Sequence, residues 1–235
     1  MKSKLFTAAL AALMLSSCTP KENGYFDNLP QEANPIEIGN KITNRFLEQG
    51  HSQYGSPLRV NEPRTQITYP DVCTWLGGLW FAQETDNKEL TERLKARFEP
   101  LFTNEAYLQP KPNHVDNNVF GAVPLELYLQ TGEERYKTLG MMYADSQWEL
   151  PANWKLKEGE ERQSSMYGDF KDADICQPEQ KEWADKGYSW QTRFWLDDMY
   201  MITTIQAQAY RVTNDRKYID RAAREMVLYL DSIQQ

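Results

Sequence analysis

A chain of 235 residues with 40% hydrophobic, 26% charged and 12% aromatic positions has globular composition and the length of one domain or at most two, which excludes disorder and collagen-like repeats. Its 34 acidic against 26 basic residues give a net charge of −8, so it offers no cationic field to a phosphate backbone, and nucleic acid is not an expected partner. Seven Trp and thirteen Tyr exceed what a core of this size requires; the surplus suits stacking on apolar or sugar-ring ligands, with ordinary core packing as the competing use.

The N-terminus reads as a targeting segment. Lys2 and Lys4 precede the apolar run LFTAALAALML, too short to span a membrane as a mature helix, which ends in Leu15-Ser16-Ser17-Cys18. Leu, two small residues and Cys resemble a bacterial lipoprotein cleavage box, with a plain secretory signal as the alternative. The resemblance implies removal of residues 1–17 as a signal peptide and lipidation of Cys18. Thr19 after the Cys then implies sorting to the outer membrane, on its periplasmic or surface side. Residues 18–35 read as a polar tether, and the expected membrane contact is a lipid anchor rather than a span. Removing the signal leaves 24 basic and 34 acidic residues, or −10, and only Cys73 and Cys176 in a compartment that permits disulfides. Cys73 lies inside an apolar helical pattern, so both are expected as buried or unpaired thiols.

From residue 36 to 235 the chain reads as one all-α domain. Apolar residues recur at helical spacing over 36–49, 70–83, 88–102, 118–130, 134–148, 190–211 and 216–233, and strand alternation is absent, which predicts about seven helices. Three turns resemble one another: Glu84 to Lys88, Gln130 to Tyr136 and Val212 to Tyr218. Each sets a Thr at a helix end and acids at the start of the next helix, where the macrodipole favours negative charge. These threonines are Thr85, Thr131 and Thr213; the second interval between them is the longer, and the polar segment 151–189 accounts for the excess. The pattern is a repeated helical hairpin with one long insertion.

Counting back roughly four helical turns from each Thr finds an acid in every case: Asp71, Asp116 and Asp197. With a rise of about 1.5 Å per residue, these acids sit at similar heights on equivalent helices and would ring one mouth of a barrel. Asp71 and Asp116 could equally be helix caps. Asp197 differs because it interrupts the apolar aromatic run Phe194-Trp195-Leu196-Asp197-Asp198-Met199-Tyr200-Met201. A carboxylate embedded there loses hydration and gains a like-charged neighbour; both effects raise its pKa and suit it to general acid work. Position 197 shares a face with Arg193, Met201 and Thr204, whereas position 198 shares one with Phe194, Ile202 and Ile205, and periodicity does not choose between them.

Trp195-Leu196-Asp197-Asp198-Met199-Tyr200-Met201 resembles the Trp-x-Asp-x-x-Tyr-Met signature of the unsaturated rhamnogalacturonyl hydrolases, glycoside hydrolase family 105, relatives of the unsaturated glucuronyl hydrolases of family 88. Asp116-Asn117-Asn118 with Gly121, Leu127-Tyr128 and Thr131 to Tyr136 is similar to the upstream Asp-containing hairpin of those enzymes. The resemblance covers roughly residues 36–233 and implies an (α/α)6 barrel of twelve helices. It assigns Asp197 as the general acid/base and Asp116 as a residue that helps hold the unsaturated sugar.

The substrates implied are oligosaccharides left by polysaccharide lyases, with a C4=C5 double bond on the non-reducing uronic acid. Arg193 is a candidate for binding the uronate carboxylate bidentately, or for pairing with a nearby acid on the surface. Trp190 and Trp195 are candidates for stacking the sugar, or for the core. His114 reads as a loop histidine. No cofactor or metal is expected, since neither HExxH nor a paired Cys motif is present and His51 and His114 are the only histidines. About seven of twelve helices are in hand, so the chain is expected to be an N-terminal portion with an open barrel edge through which it self-associates, with a divergent short form as the alternative. Two rival readings are a non-catalytic helical-repeat lipoprotein that binds glycans, and a uronate lyase, which would call for a Tyr, His or Arg base.

Overall fold

The computed structural model describes residues 29–51, 65–150, 155–156, 175–176 and 178–233. The expected signal peptide, Cys18, most of the tether, the side chain of Cys176 and most of the 151–189 insertion lie outside the described residues. The chain divides into two compact units, Met1–Ile42 and Thr43–Gln235. Helix α1 (Pro35–Glu48) crosses that boundary; Pro35 opens it, and the Asn34 side-chain oxygen accepts the Ile36 N–H at 2.9 Å.

The second unit is built from three helical hairpins. In chain order these are α2 (Tyr69–Glu84) with α3 (Lys88–Phe98), α4 (Val115–Asn118) and α5 (Ala122–Thr131) with α6 (Glu134–Ser146), and, after the short α7 (Pro178–Asp185), α8 (Asp198–Thr213) with α9 (Arg216–Ile233). A 3₁₀ turn, Val119–Gly121, joins α4 to α5, so the pair acts as one helix with a tightened turn. Among the described residues the only strands are two-residue pieces, β1 (Lys155–Leu156) and β2 (Ile175–Cys176), paired in parallel inside the insertion. The fold is all-α, of (α/α)-barrel type, with three inner–outer hairpins among the described residues.

The turn threonines close the three hairpins by the same chemistry. Thr85, Thr131 and Thr213 each donate a side-chain hydrogen bond to the carbonyl four residues back, on Phe81, Leu127 and Ala209, in every case at 2.7 Å. The residue after each Thr is left-handed: Asp86 (φ 48°), Gly132 (φ 75°) and Asn214 (φ 56°), the residue types that tolerate this region best. The repeat inferred from spacing is therefore a repeat of local geometry.

Helices α2, α5 and α8 lie side by side, each covered by its following helix. A buried carboxylate joins them. Glu126 on α5 accepts from Trp80 Nε1 of α2 at 3.0 Å, Gln208 Nε2 and Arg211 Nη1 of α8 at 2.6 and 2.5 Å, and Gln130 Nε2 at 3.0 Å. Burial pushes this carboxyl up, but four donors outweigh it and hold the group below the usual range. The core beside it is aromatic: Trp75 packs on Phe98 at 5.3 Å, Phe98 on Phe120 at 5.6 Å and Phe120 on Tyr143 at 5.2 Å between centroids. Each such pair adds about 0.5–1.5 kcal/mol beyond its area burial. Their polar ends are satisfied, the Trp75 indole by Leu94 O and the Tyr143 hydroxyl by Pro110 O.

Two expected boundaries move. The pattern over 88–102 breaks at Phe98, where Pro100 turns the chain into a 3₁₀ segment, Glu99–Phe102. The apolar run from 190 does not become helix until Asp198, because residues 189–194 are pinned elsewhere, as described below. Cys73, expected as a buried or unpaired thiol, is unpaired and exposed, in reach of the Tyr200 hydroxyl. On α9, Val227, Leu230 and Ile233 are also exposed.

Glycine sets the closest approach between α6 and the α4–α5 helix. A Cβ on Gly140 would lie 2.5 Å from Leu125 Cγ and 2.8 Å from Gly121 O, whereas a Cβ on Gly77, mid-helix in α2, would meet nothing within 4 Å. Gly140→Ala should lower stability by about 1–3 kcal/mol in urea denaturation. Gly77→Ala should raise it by about 0.5–1 kcal/mol.

Candidate active site

Residues 189–197 form the wall between the second and third hairpins, and their conformation is fixed from three sides. On α6 and its end, the Trp190 indole N–H donates to Ser146 O at 2.6 Å and the Ser189 hydroxyl to Gln147 O at 2.9 Å. On α4, Asn118 Oδ1 accepts from Gln191 Nε2 at 2.9 Å. On α9, the buried Glu225 accepts the Ser189 N–H at 3.2 Å and the Thr192 hydroxyl, while the Tyr229 hydroxyl accepts the Arg193 N–H at 3.3 Å. These anchors hold Phe194 at φ 59°, a left-handed conformation that costs a bulky residue on the order of 1–3 kcal/mol. Its ring is clasped between Trp183 and Tyr229, each at 5.2 Å.

The strained turn directs Arg193 back across the site. Its Nε lies 2.9 and 3.1 Å from the two oxygens of Asp198, and Nη2 lies 2.8 Å from Asp198 Oδ1 and 3.0 Å from Asp116 Oδ1. The remaining nitrogen, Nη1, is 2.8 Å from His114 Nε2. His114 Nδ1 also lies 3.2 Å from the Asp116 amide, but a neutral ring accepts at one nitrogen only; the shorter, charge-assisted contact takes that role. One guanidinium thus ties α4 of the second hairpin to the start of α8 in the third.

Two carboxylates share this cation, and a third, Asp197, stands near them. Asp198 is fully buried, and Asp116 is partly so; burial and the neighbouring charges of Asp198 and Asp197 push the Asp116 carboxyl up to about 6, although Arg193 opposes the shift. Burial likewise raises Asp198. Asp197 stands at the N-cap position of α8 with its side chain exposed and, among the described residues, no hydrogen bond to it. The exposed faces around it are Trp195, 42% accessible and stacked on Arg193 with Cζ at 4.7 Å from the ring centroid, then Leu196 and Tyr200.

The expected residues separate on this geometry. Asp116, Arg193, Trp195 and Asp197 come together at one mouth, at the N-terminal ends of the inner helices. Asp71 is at the same end of α2, but its buried carboxylate closes a capping box with the Thr68 N–H and hydroxyl at 2.9 and 3.0 Å, so it is a cap. Trp190 is a correction: it is 2% exposed, with its indole bonded inside the protein, and presents no face to a sugar. The expectation that Asp197 is embedded among apolar side chains is also corrected, since the embedded acid is Asp198. Arg193 pairs with acids, but within the protein and not on the surface. Sequence reasoning missed Glu225 and Tyr229, which act from an outer helix and have no local signal. Among the described residues no cluster of His, Cys, Asp or Glu could hold a metal ion, and no helix is long and apolar enough to cross a membrane.

A raised carboxyl pKa in the folded state means that the native protein binds protons that the unfolded chain has already released. Between about pH 4 and 6 Asp116 therefore makes stability fall as pH rises, and Asp198 and Glu225 act in the same direction. Asp116→Asn should flatten this part of the stability profile, measured as urea midpoints from pH 4 to 7. An unchanged slope would show that Asp116 does not carry the shift.

Residues 38–234 match the family model described as Glycosyl Hydrolase Family 88. No curated protein and no solved structure gives a match. The family match spans all three hairpins and the acid cluster between them: this chain belongs to glycosyl hydrolase family 88 and is a glycoside hydrolase.

Proposed function

We propose that the protein hydrolyses unsaturated uronyl oligosaccharides, rhamnogalacturonyl or glucuronyl, released by polysaccharide lyases, with Asp197 as the general acid/base. The observation that carries the reading is the union of Asp116 and the Trp195 to Met201 signature at one solvent-open mouth, where Asp197 is the carboxylate left free to meet a substrate. The family supports the reaction class, and the signature supports the rhamnogalacturonyl branch.

The substrate ring is a vinyl ether, with the C4=C5 bond conjugated to the ring oxygen. Asp197, protonated, delivers its proton to C4, and positive charge develops at C5 and is shared with the ring oxygen. Water adds to C5 and gives its proton back to the Asp197 carboxylate. The resulting hemiketal opens at C5, and the anomeric carbon then releases the next sugar. One water is consumed, and a single carboxyl serves both proton transfers, so the opposed pair at retaining or inverting separation that ordinary glycosidases need is not required. Asp116 helps hold the sugar, and the exposed Trp195 offers it a stacking face.

Asp197→Asn keeps the shape but can neither give nor take that proton, so turnover should fall on the order of 10²- to 10⁴-fold with substrate binding retained. The assay is loss of the double-bond absorbance of an unsaturated disaccharide. Asp198→Asn, whose side chain is buried away from the mouth, should cost less; the reverse order of the two variants would refute the assignment. Glycan binding without any loss of absorbance would favour a binding protein instead.

The same reading includes a lipid anchor at Cys18 on the outer membrane, supported by the lysine-flanked apolar run and its Leu-Ser-Ser-Cys ending. Cys18→Ala should move the protein out of the membrane fraction. Unchanged partitioning would exclude the anchor.

A further inference from the structure

Arg193 is a candidate ligand for the uronate carboxylate by sequence, and its donors argue against that use. A guanidinium has five N–H donors and grips a carboxylate by two parallel ones along an edge. Here the Nε and Nη2 edge is taken by Asp198, and the second Nη2 donor by Asp116. One Nη1 donor goes to His114, so neither edge has two donors to spare. The ring of Trp195 covers one flat face, and the side chain is only 9% exposed. The backbone supports the same arrangement, since the Arg193 N–H is held by Tyr229 and the next residue is left-handed.

We infer that Arg193 is a positioning residue, which clamps Asp116 of one hairpin to Asp198 of the next and so fixes where Asp197 stands at the mouth, and that it is not the ligand of the substrate's carboxylate. The kinetic part of this inference rests on the function proposed above; the clamp itself does not. Removing the buried cation would leave Asp116 facing Asp197 and Asp198 with His114 as the other titratable group beside it and the Tyr229 hydroxyl on the far side of Asp198.

Two measurements test it. The first follows the Asp116 carboxyl carbon by NMR titration of the whole chain without substrate. In Arg193→Gln the midpoint should rise by roughly 1–3 pH units, as for a carboxylate that loses an adjacent cation, and Arg193→Lys should recover part of the shift. The second compares an unsaturated uronide with its methyl ester. Arg193→Lys should lower kcat on the order of 10- to 100-fold through misplacement, leave KM within about twofold and keep the wild-type ratio of acid to ester turnover. An unmoved Asp116 midpoint overturns the clamp. A raised KM with kcat intact and the acid-to-ester preference erased overturns the positioning role and makes Arg193 the carboxylate ligand. A shifted midpoint in a protein whose wild type turns over no uronide leaves the clamp standing and refutes only the proposed function. If Arg193→Gln does not fold, Arg193→Lys decides by the KM-against-kcat split and the ester comparison.

Discussion

Glu126 is a charged group with no water around it, and the arrangement of the hairpins follows from how it is satisfied. A buried carboxylate is tolerated only when its lone pairs are filled, and here the donors come from all three inner helices. Sliding α2 or α8 along α5 by a single residue would displace a donor by about 1.5 Å and break the set. The register of the inner helices is thereby fixed near their C-terminal halves. At the other end, the same register brings the first turns of α4 and α8 within reach of one arginine.

That end gathers negative charge for two reasons with one origin. Helix N-termini expose unpaired N–H groups and the positive pole of the macrodipole, so Asp71, Asp116, Asp197 and Asp198 all suit the first turn or cap of a helix. Side-by-side helices of the same direction then bring those acids into mutual repulsion. The fold answers it differently at each position. Thr68 absorbs Asp71 into a cap, Arg193 neutralises Asp198, and Asp116 shares what remains of that cation and takes up protons more readily. Asp197 is left to solvent.

The hairpins were legible in the sequence because their determinants are local. Threonine four residues after the carbonyl it bonds, followed by Asp, Gly or Asn in the left-handed region, is a spacing that any reader of the chain can find. The Asp pair was half legible. Position 198 shares a face with Ile202 and Ile205, both fully buried, but periodicity alone does not choose between the two acids, and the aromatic setting drew attention to 197 as the buried one. The segment before it was misread as helix because apolar periodicity says nothing about competing anchors. Glu225 and Tyr229, far downstream on an outer helix, capture Ser189, Thr192 and Arg193, and their geometry overrides the intrinsic preference of the run. Trp190 illustrates the same limit: composition counts aromatic rings but does not say which of them a distant carbonyl will hold inside.

The turn chemistry also has a bearing on how such a protein can change. Each hairpin closes itself with its own threonine and its own left-handed residue. Duplication of a hairpin therefore copies a unit that already folds back on itself, and the new copy need only present a compatible flank. The acid cluster, by contrast, belongs to no single unit: Asp116 comes from one hairpin and Arg193 with Asp198 from the approach to the next. Gain or loss of a hairpin elsewhere leaves this junction intact, whereas a new hairpin placed between these two neighbours would abolish it.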